Sequence, residues 1–176
     1  APFLVDTTSV GYLKKVDEKR LAAAAALVAR AVEAASLSKF ANRALTALAV
    51  DTPIGAVVIG GPGSDTYAAG HLAERGAFVL ELGGDDTYEV PIGVGRREVP
   101  VGVFVDLGGK DRYGYEISAD SQDKATRPPS DSAGRYGLAG ATGQTLSRVG
   151  RQGSGVLGVG LLWDLGGQDD EYASLT

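Results

Sequence analysis

The sequence predicts a mainly β fold: a right-handed parallel β-helix, or solenoid, with an α-helical N-terminal cap. A phrase made of an acid, Leu, Gly-Gly, any residue, Asp, any residue and Tyr recurs along the chain, and each copy follows three apolar residues. Asp65 to Asp86 spans 21 residues and Asp86 to Asp111 spans 25, which suits one coil each. Repetition of this kind is typical of stacked units that bury their apolar faces against one another.

The four copies define the predicted strands. The apolar runs are Val57–Ile59, Phe78–Leu80, Val103–Val105 and Leu161–Trp163, and the copies end at Tyr67, Tyr88, Tyr113 and Tyr172. Three apolar residues favour a short strand, and the glycine pair permits the positive φ of a tight corner. We expect the runs to lie side by side as parallel neighbours, with the Asp residues and the Tyr residues aligned in ladders.

The N-terminal part carries the clearest helical pattern. In the stretch 16–49, Leu21 and Val28 fall on one helical face among many alanines, and Asp17 is placed to cap the start. We expect a helical cap in which Leu21, Val28 and Leu45 pack over the Ile54–Ile59 end of the solenoid.

The chain divides into two predicted parts. Residues 1–50 form the helical N-terminal cap, and residues 51–176 form the Gly/Asp-rich β-solenoid with a long insertion at about 114–152. The interval from Asp111 to Asp169 is 58 residues, which indicates either one coil that carries this insertion or two coils of which one has lost the repeated phrase. A connection of this length is either functional or mobile. Self-assembly, or binding of another protein domain or chain, is expected through the helical cap or the insertion.

Composition excludes several classes of function. The net charge of −5 argues against nucleic-acid binding, and no apolar stretch is long enough to span a membrane. There is no cysteine, so neither disulfides nor thiol chemistry is available. There is no methionine either, so we expect a processed form or part of a longer precursor. Richness in Ala, Arg and Gly suggests a bacterial source.

The repeats resemble the nonapeptide repeats of the RTX calcium-binding β-roll proteins. The match is closest at Gly60-Gly61-Pro62-Gly63-Ser64-Asp65-Thr66-Tyr67, although RTX repeats follow one another every nine residues and these do not. The resemblance implies that carboxylates and turn carbonyls of successive turns hold Ca²⁺. Calcium prefers six to eight oxygen ligands, which acidic turns offer.

The candidate metal ligands are the acids of the repeats. They are Asp65, Glu81, Asp85, Asp86, Asp106, Asp111, Asp164, Asp169 and Asp170. Stacking would set Asp86 and Asp111 about one strand spacing apart, so a bridging cation would relieve their repulsion. The alternative is that the Asp residues only stabilise turns by accepting hydrogen bonds from backbone N–H groups. Both hypotheses remain open at this point.

A second resemblance concerns about the first 35 residues. Thr7-Thr8-Ser9-Val10-Gly11-Tyr12-Leu13-Lys14-Lys15-Val16-Asp17, followed by the Ala-rich helix, is similar to the C-terminal end of the aminopeptidase-like zinc exopeptidases. Thr7 stands where that family has a metal-binding His. The resemblance implies a fragment appended to a peptidase-like domain whose catalytic part is absent from this chain.

No catalytic constellation or cofactor fingerprint is predicted. His71 is the only histidine, which excludes a multi-His zinc site, and it lies in a turn-like segment where we expect it to be solvated. The sequence therefore predicts a non-catalytic structural, adhesive or assembly module, extracellular or at the cell surface, stabilised by Ca²⁺. The peptidase-associated fragment and a polysaccharide-acting enzyme are the alternatives.

Overall fold

The computed structural model describes residues 11, 14–114, 152–167 and 169–172. The predicted insertion therefore lies outside the described residues except for its two ends. Helix α1 spans Glu18–Ala34, and its first turn is capped by Asp17, whose Oδ1 accepts a 3.0 Å hydrogen bond from the backbone N–H of Arg20. Short 3₁₀ helices follow at Leu37–Phe40 and Leu72–Arg75.

The described residues form three sheets of short strands. In chain order the strands are β1 Leu48–Val50, β2 Ala56–Ile59, β3 Thr66–Tyr67, β4 Gly76–Glu81, β5 Thr87–Tyr88, β6 Gly95–Arg96, β7 Val101–Asp106, β8 Arg112–Tyr113, β9 Gly155–Val156, β10 Val159–Asp164 and β11 Glu171–Tyr172. The first sheet has the order β1-β2-β4-β7-β10, the second β11-β8-β5-β3, and the third pairs β6 with β9.

The four apolar runs pair as the sequence predicts. β2, β4, β7 and β10 are parallel neighbours, with Val79 opposite Phe104 and Phe104 opposite Leu162. The Asp-x-Tyr segments form the second sheet, also parallel, with tyrosine opposite tyrosine at every step. Each repeat unit therefore contributes one strand to each of these two sheets, and equivalent residues of successive units lie side by side.

The predicted fold class is nevertheless wrong. The part of the chain that the structure describes is not a mainly β parallel helix but a mixed α/β structure that combines parallel and antiparallel pairing with the helix α1. Strand β1 runs antiparallel to β2, with Ala49 opposite Val58. The repeated phrase determines how the repeats pair with each other, but Leu48–Val50 lies outside it, so the repeats carried no information about this strand.

The helix also differs from the predicted cap. Instead of closing the Ile54–Ile59 end, α1 lies over β7 and β10 in the five-stranded sheet. Its residues Val28 and Val32 pack into a cluster with Leu80 and Leu107. Leu45 is 51% exposed and so does not make the packing expected of it. An apolar helical face is satisfied by any apolar surface, and the side of this sheet that carries Val103 and Val105 provides one.

Two apolar clusters lie on opposite faces of the five-stranded sheet. One lies between this sheet and the second sheet, and it includes Val79, Phe104, Tyr88 and Tyr113. The other lies between the sheet and α1 and includes Leu82 and Val105. Successive side chains along a strand point to opposite faces of the sheet, so each long strand contributes residues to both clusters. In the described residues, no helix is long and apolar enough to cross a membrane.

Candidate metal centre

The repeats place their polar side chains in three columns. The first column holds the residues at the ends of the long strands, Gly60, Glu81, Asp106 and Asp164. The second holds the turn acids Asp65, Asp86, Asp111 and Asp170, and the third holds Tyr67, Tyr88, Tyr113 and Tyr172. The ladders expected from the sequence are therefore present.

The turn acids join one unit to the next. The backbone N–H of Asp65 donates to Oδ1 of Asp86 at 2.7 Å, and that of Asp86 donates to Oδ1 of Asp111 at 2.7 Å. The N–H of Asp111 donates to Oδ1 of Asp170 at 2.8 Å. Each carboxylate thus satisfies the backbone of the preceding unit rather than its own turn. Hydrogen bonds to a charged acceptor contribute more than neutral ones, about 1.5–3 kcal/mol each.

The tyrosine rings form a continuous stack. Ring centroids are 5.0 Å apart between Tyr67 and Tyr88, 4.8 Å between Tyr88 and Tyr113, and 4.4 Å between Tyr113 and Tyr172, with nearly parallel planes. The first three rings are buried, whereas Tyr172 is 52% exposed. His71, expected to be solvated, is half-buried with its ring edge-on to Tyr67, and its Nδ1 accepts a hydrogen bond from the N–H of Ala73.

The tyrosine hydroxyls bind the strand-end acids. The hydroxyl of Tyr88 donates to Oδ2 of Asp106 at 2.7 Å and lies 3.2 Å from Oδ2 of Asp86, and the hydroxyl of Tyr113 lies 3.1 Å from the same Asp106 oxygen. In the fourth unit, the hydroxyl of Tyr172 donates to Oδ2 of Asp164 at 2.7 Å. The sequence did not predict these bonds, although the Asp-x-Tyr spacing, which puts both side chains on one face, was a signal for them.

The first unit lacks a strand-end acid, and its neighbour compensates. Gly60 occupies that position, opposite Glu81, and a Cβ added at Gly60 would overlap the Glu81 carboxylate. Glutamate is one methylene longer than the aspartates that follow, so its carboxylate reaches over Gly60 and accepts the hydroxyl of Tyr67. Gly60 and Glu81 therefore work as a pair.

Three carboxylates converge in the interior. Oxygens of Asp86, Asp106 and Asp111 all lie within 4.8 Å of one another, and the three residues are 0–1% exposed. Oδ2 of Asp111 is buried and has no hydrogen-bond partner. A buried carboxylate oxygen without a partner is costly, so this atom marks a place where a cation or a proton is needed.

The electrostatics of the cluster favour neutralisation. Burial, reinforced by neighbouring carboxylates, raises the pKa of Asp86 to about 6 and that of Asp111 to about 7. Burial also raises the pKa of Glu81 to about 8. The pKa values of Tyr67, Tyr88 and Tyr113 are raised by burial as well, so these hydroxyls keep their protons and act as donors.

Of the other candidate ligands, Asp65, Asp85 and Asp164 lie outside the three-carboxylate cluster. Asp65 and Asp85 are exposed on the turns, and Oδ1 of Asp85 accepts the N–H of Lys110 at 2.9 Å. Asp164, in the fourth unit, is half-buried, and burial raises its pKa. Glu81 lies beside the cluster, in register with Asp106.

In the fourth unit, the predicted position of the turn acid is wrong by one residue. The interval measured from the sequence ended at Asp169, but Asp170 occupies the position equivalent to Asp111. Asp169, the extra residue of this longer copy, is exposed and has φ +67°. The Asp-x-Tyr spacing, rather than the distance from the glycines, identifies the equivalent acid.

The donor set of the cluster suits a hard cation. Three carboxyl groups offer up to six oxygens, and an oxygen that accepts a hydrogen bond keeps a second lone pair for a metal. Oxygen-only ligands fit Ca²⁺ or Mg²⁺ and do not favour zinc. No family model matches the sequence, and no curated protein or solved structure is significantly similar to it.

Proposed function

We propose that this chain is a non-catalytic structural or assembly module in which a Ca²⁺ ion, held by Asp86, Asp106 and Asp111, joins two successive repeat units. The observation that carries the proposal is the buried, unpartnered Oδ2 of Asp111 beside two other buried carboxylates. A cation there supplies the missing partner and cancels the repulsion among three like charges.

The burial of the site supports a structural role. Asp86 and Asp111 are 1% exposed and Asp106 is 0% exposed, so a substrate has no access to these carboxylates, whereas a small ion can be enclosed as the units pack. Asp86 belongs to the second unit, and Asp106 and Asp111 belong to the third. An ion shared by these residues therefore stabilises the contact between units.

Calcium fits better than magnesium because the carboxylates are buried. Mg²⁺ requires near-ideal octahedral coordination and keeps several waters, for which a cluster of carboxylates with 0–1% exposure leaves little room. Extracellular calcium modules bind with dissociation constants of about 10⁻⁴–10⁻³ M, so we propose an extracellular or cell-surface location, where such a site would stay loaded.

Metal analysis combined with thermal unfolding tests this function. The protein is purified with and without a chelator, its calcium content is measured, and the melting temperature is followed as calcium or magnesium is added to the chelated sample. We expect about one calcium ion per chain and a melting temperature that rises with calcium, because the ion binds the folded chain only. A melting temperature that does not respond to calcium would leave the acids a purely hydrogen-bonding role.

A further inference from the structure

The last repeat unit presents an open strand edge. β10 pairs with β7 on one side, and no described residue pairs with its other edge. β11 likewise pairs only with β8. Among the described residues, the outer edges of β10 and β11, both in the fourth unit, therefore have no strand partner.

The side chains of this unit are exposed where their equivalents are covered. Leu107 is 6% exposed, but Leu165, at the same position one unit later, is 51% exposed. Tyr113 is 1% exposed, whereas Tyr172 is 52% exposed. Trp163 on β10 is half-buried. In the third unit, the side chains at these positions are covered by the fourth unit. The fourth unit presents the same kinds of side chain on its outer face, but there they are exposed.

The hydrogen-bond ladder stops at the same place. In each earlier unit the turn Asp donates its backbone N–H to the carboxylate of the next unit. Among the described residues, no acceptor lies at the N–H of Asp170, and only Tyr113 stacks on the ring of Tyr172. Within the described part of the chain, the fourth unit therefore lacks two groups whose positions the ladder defines: a carboxylate and an aromatic ring.

We propose that this end binds a polypeptide segment carrying the same acid-Leu-Gly-Gly-x-Asp-x-Tyr repeat, in parallel register with β10 and β11. The segment continues the interface between β7 and β10, places its Asp carboxylate on the N–H of Asp170 and stacks its Tyr on Tyr172. The partner chemistry follows from the two missing groups. This interaction does not depend on the metal.

A second copy of the chain fits less well. A copy related by a two-fold axis would pair antiparallel with β10 and would supply neither the carboxylate nor the ring in register. A head-to-tail copy would present β1, which runs antiparallel to β2 and carries no acid-Leu-Gly-Gly phrase. A separate repeat segment meets neither obstacle.

A peptide titration tests the proposal on the full chain. The probe is a synthetic peptide of this chain's own third repeat, Val101–Gly114, and the reporter is the fluorescence of Trp163, the single tryptophan. We expect saturable binding with a shift of emission to shorter wavelength as the peptide covers β10. A control peptide with Asp111→Ala and Tyr113→Ala should bind about ten-fold more weakly or worse, because it lacks the carboxylate acceptor.

Matched protein variants locate the contact. Leu165→Ser should weaken binding of the peptide about five-fold, because it removes apolar surface that the peptide covers. Leu27→Ser is the control, since Leu27 is 66% exposed on α1 and should leave peptide affinity unchanged. Both replaced side chains are at least half exposed, so the fold should tolerate both changes.

Four results would overturn the proposal. The first is no saturable change in Trp163 emission at millimolar peptide, and the second is equal binding of the control peptide. The third is Trp163 emission that changes on dilution of the protein, together with a dimer in sedimentation. The fourth is a Trp163 side chain that is already shielded from acrylamide in the free chain. The third identifies a second copy as the occupant, and the fourth identifies the chain's own residues.

Discussion

The backbone N–H of Asp86 donates a 2.7 Å hydrogen bond to Oδ1 of Asp111, while Oδ2 of the same carboxyl group is buried without a partner. One carboxylate therefore has two tasks: one oxygen joins its unit to the preceding one, and the other faces Asp86 and Asp106. The hydrogen-bonding and metal-binding hypotheses for the repeat acids are thus compatible, because they concern different oxygens.

The first prediction separates these two tasks. In Asp111→Asn, the amide oxygen still accepts the N–H of Asp86, but the charge is lost, so we expect the rise in melting temperature with calcium to disappear. Asp85→Asn is the matched control: its oxygen also accepts a backbone N–H from a neighbouring unit, yet it is exposed on a turn. Thermal unfolding with and without calcium checks both. A calcium response that survives in Asp111→Asn would exclude this residue as a ligand.

The second prediction concerns pH in the absence of metal. The pKa values of Glu81, Asp86 and Asp111 in the folded chain, about 8, 6 and 7, exceed their ordinary values of 4.5, 3.8 and 3.8. A raised pKa means that the folded state holds its protons more tightly than the unfolded state does. The free energy of unfolding of chelated protein should therefore be highest near pH 4 with respect to these groups and fall as pH rises to about 8.

Urea unfolding of chelated protein at several pH values measures this trend. Saturating calcium should reduce the loss at high pH, because the ion replaces the protons. A stability that rises steadily from pH 5 to pH 8 in chelated protein would contradict the assignment of these three acids as groups with raised pKa values.

The third prediction tests the tyrosine–acid bonds. Tyr88→Phe removes the hydroxyl that donates to Asp106 at 2.7 Å and leaves a buried carboxylate oxygen with one donor fewer, so we expect a loss of about 1–3 kcal/mol in the free energy of unfolding. Tyr172→Phe removes the same kind of bond at an exposed position and should cost less than about 1 kcal/mol. Equal losses in urea unfolding would show that burial does not strengthen the inner bond.

The fourth prediction tests the glycine turns. Gly84 has φ +114°, and a Cβ there would overlap the carbonyl of Gly63 in the preceding unit. Gly84→Ala should therefore lower the free energy of unfolding by more than about 1 kcal/mol. Gly63→Ala is the control, because nothing lies within 4 Å of a Cβ at that position. A Gly84→Ala protein as stable as the control in urea unfolding would refute the steric explanation.

The repeated phrase made the pairing of units predictable but not the whole fold. The register that places Tyr88 beside Tyr113 follows from equal spacing in each copy, and it is confirmed. The antiparallel β1 and the position of α1 over β7 and β10 were not predictable in this way, because they depend on which apolar surfaces remain free after the units pair.

The candidate site, like the fold, could be predicted only in part from the sequence. The sequence pointed to the repeat acids as a set, but it could not tell that Asp86, Asp106 and Asp111 converge while Asp85 stays exposed on its turn. Neighbouring acids in the sequence point to opposite faces of the backbone, and only the packing of units shows which face is enclosed. The aminopeptidase-like resemblance stays a prediction, since Thr7 and Ser9 lie outside the described residues.

Terbium luminescence tests the metal site most directly. Tb³⁺ replaces Ca²⁺ at oxygen-only sites, and its emission is sensitised by an excited aromatic ring nearby; the hydroxyls of Tyr88 and Tyr113 both lie on Asp106. Chelated protein excited through tyrosine should give terbium emission that saturates at about one ion per chain, is displaced by calcium and is lost in Asp111→Asn. No sensitised emission, or emission of equal strength in Asp111→Asn, would contradict a metal site formed by Asp86, Asp106 and Asp111.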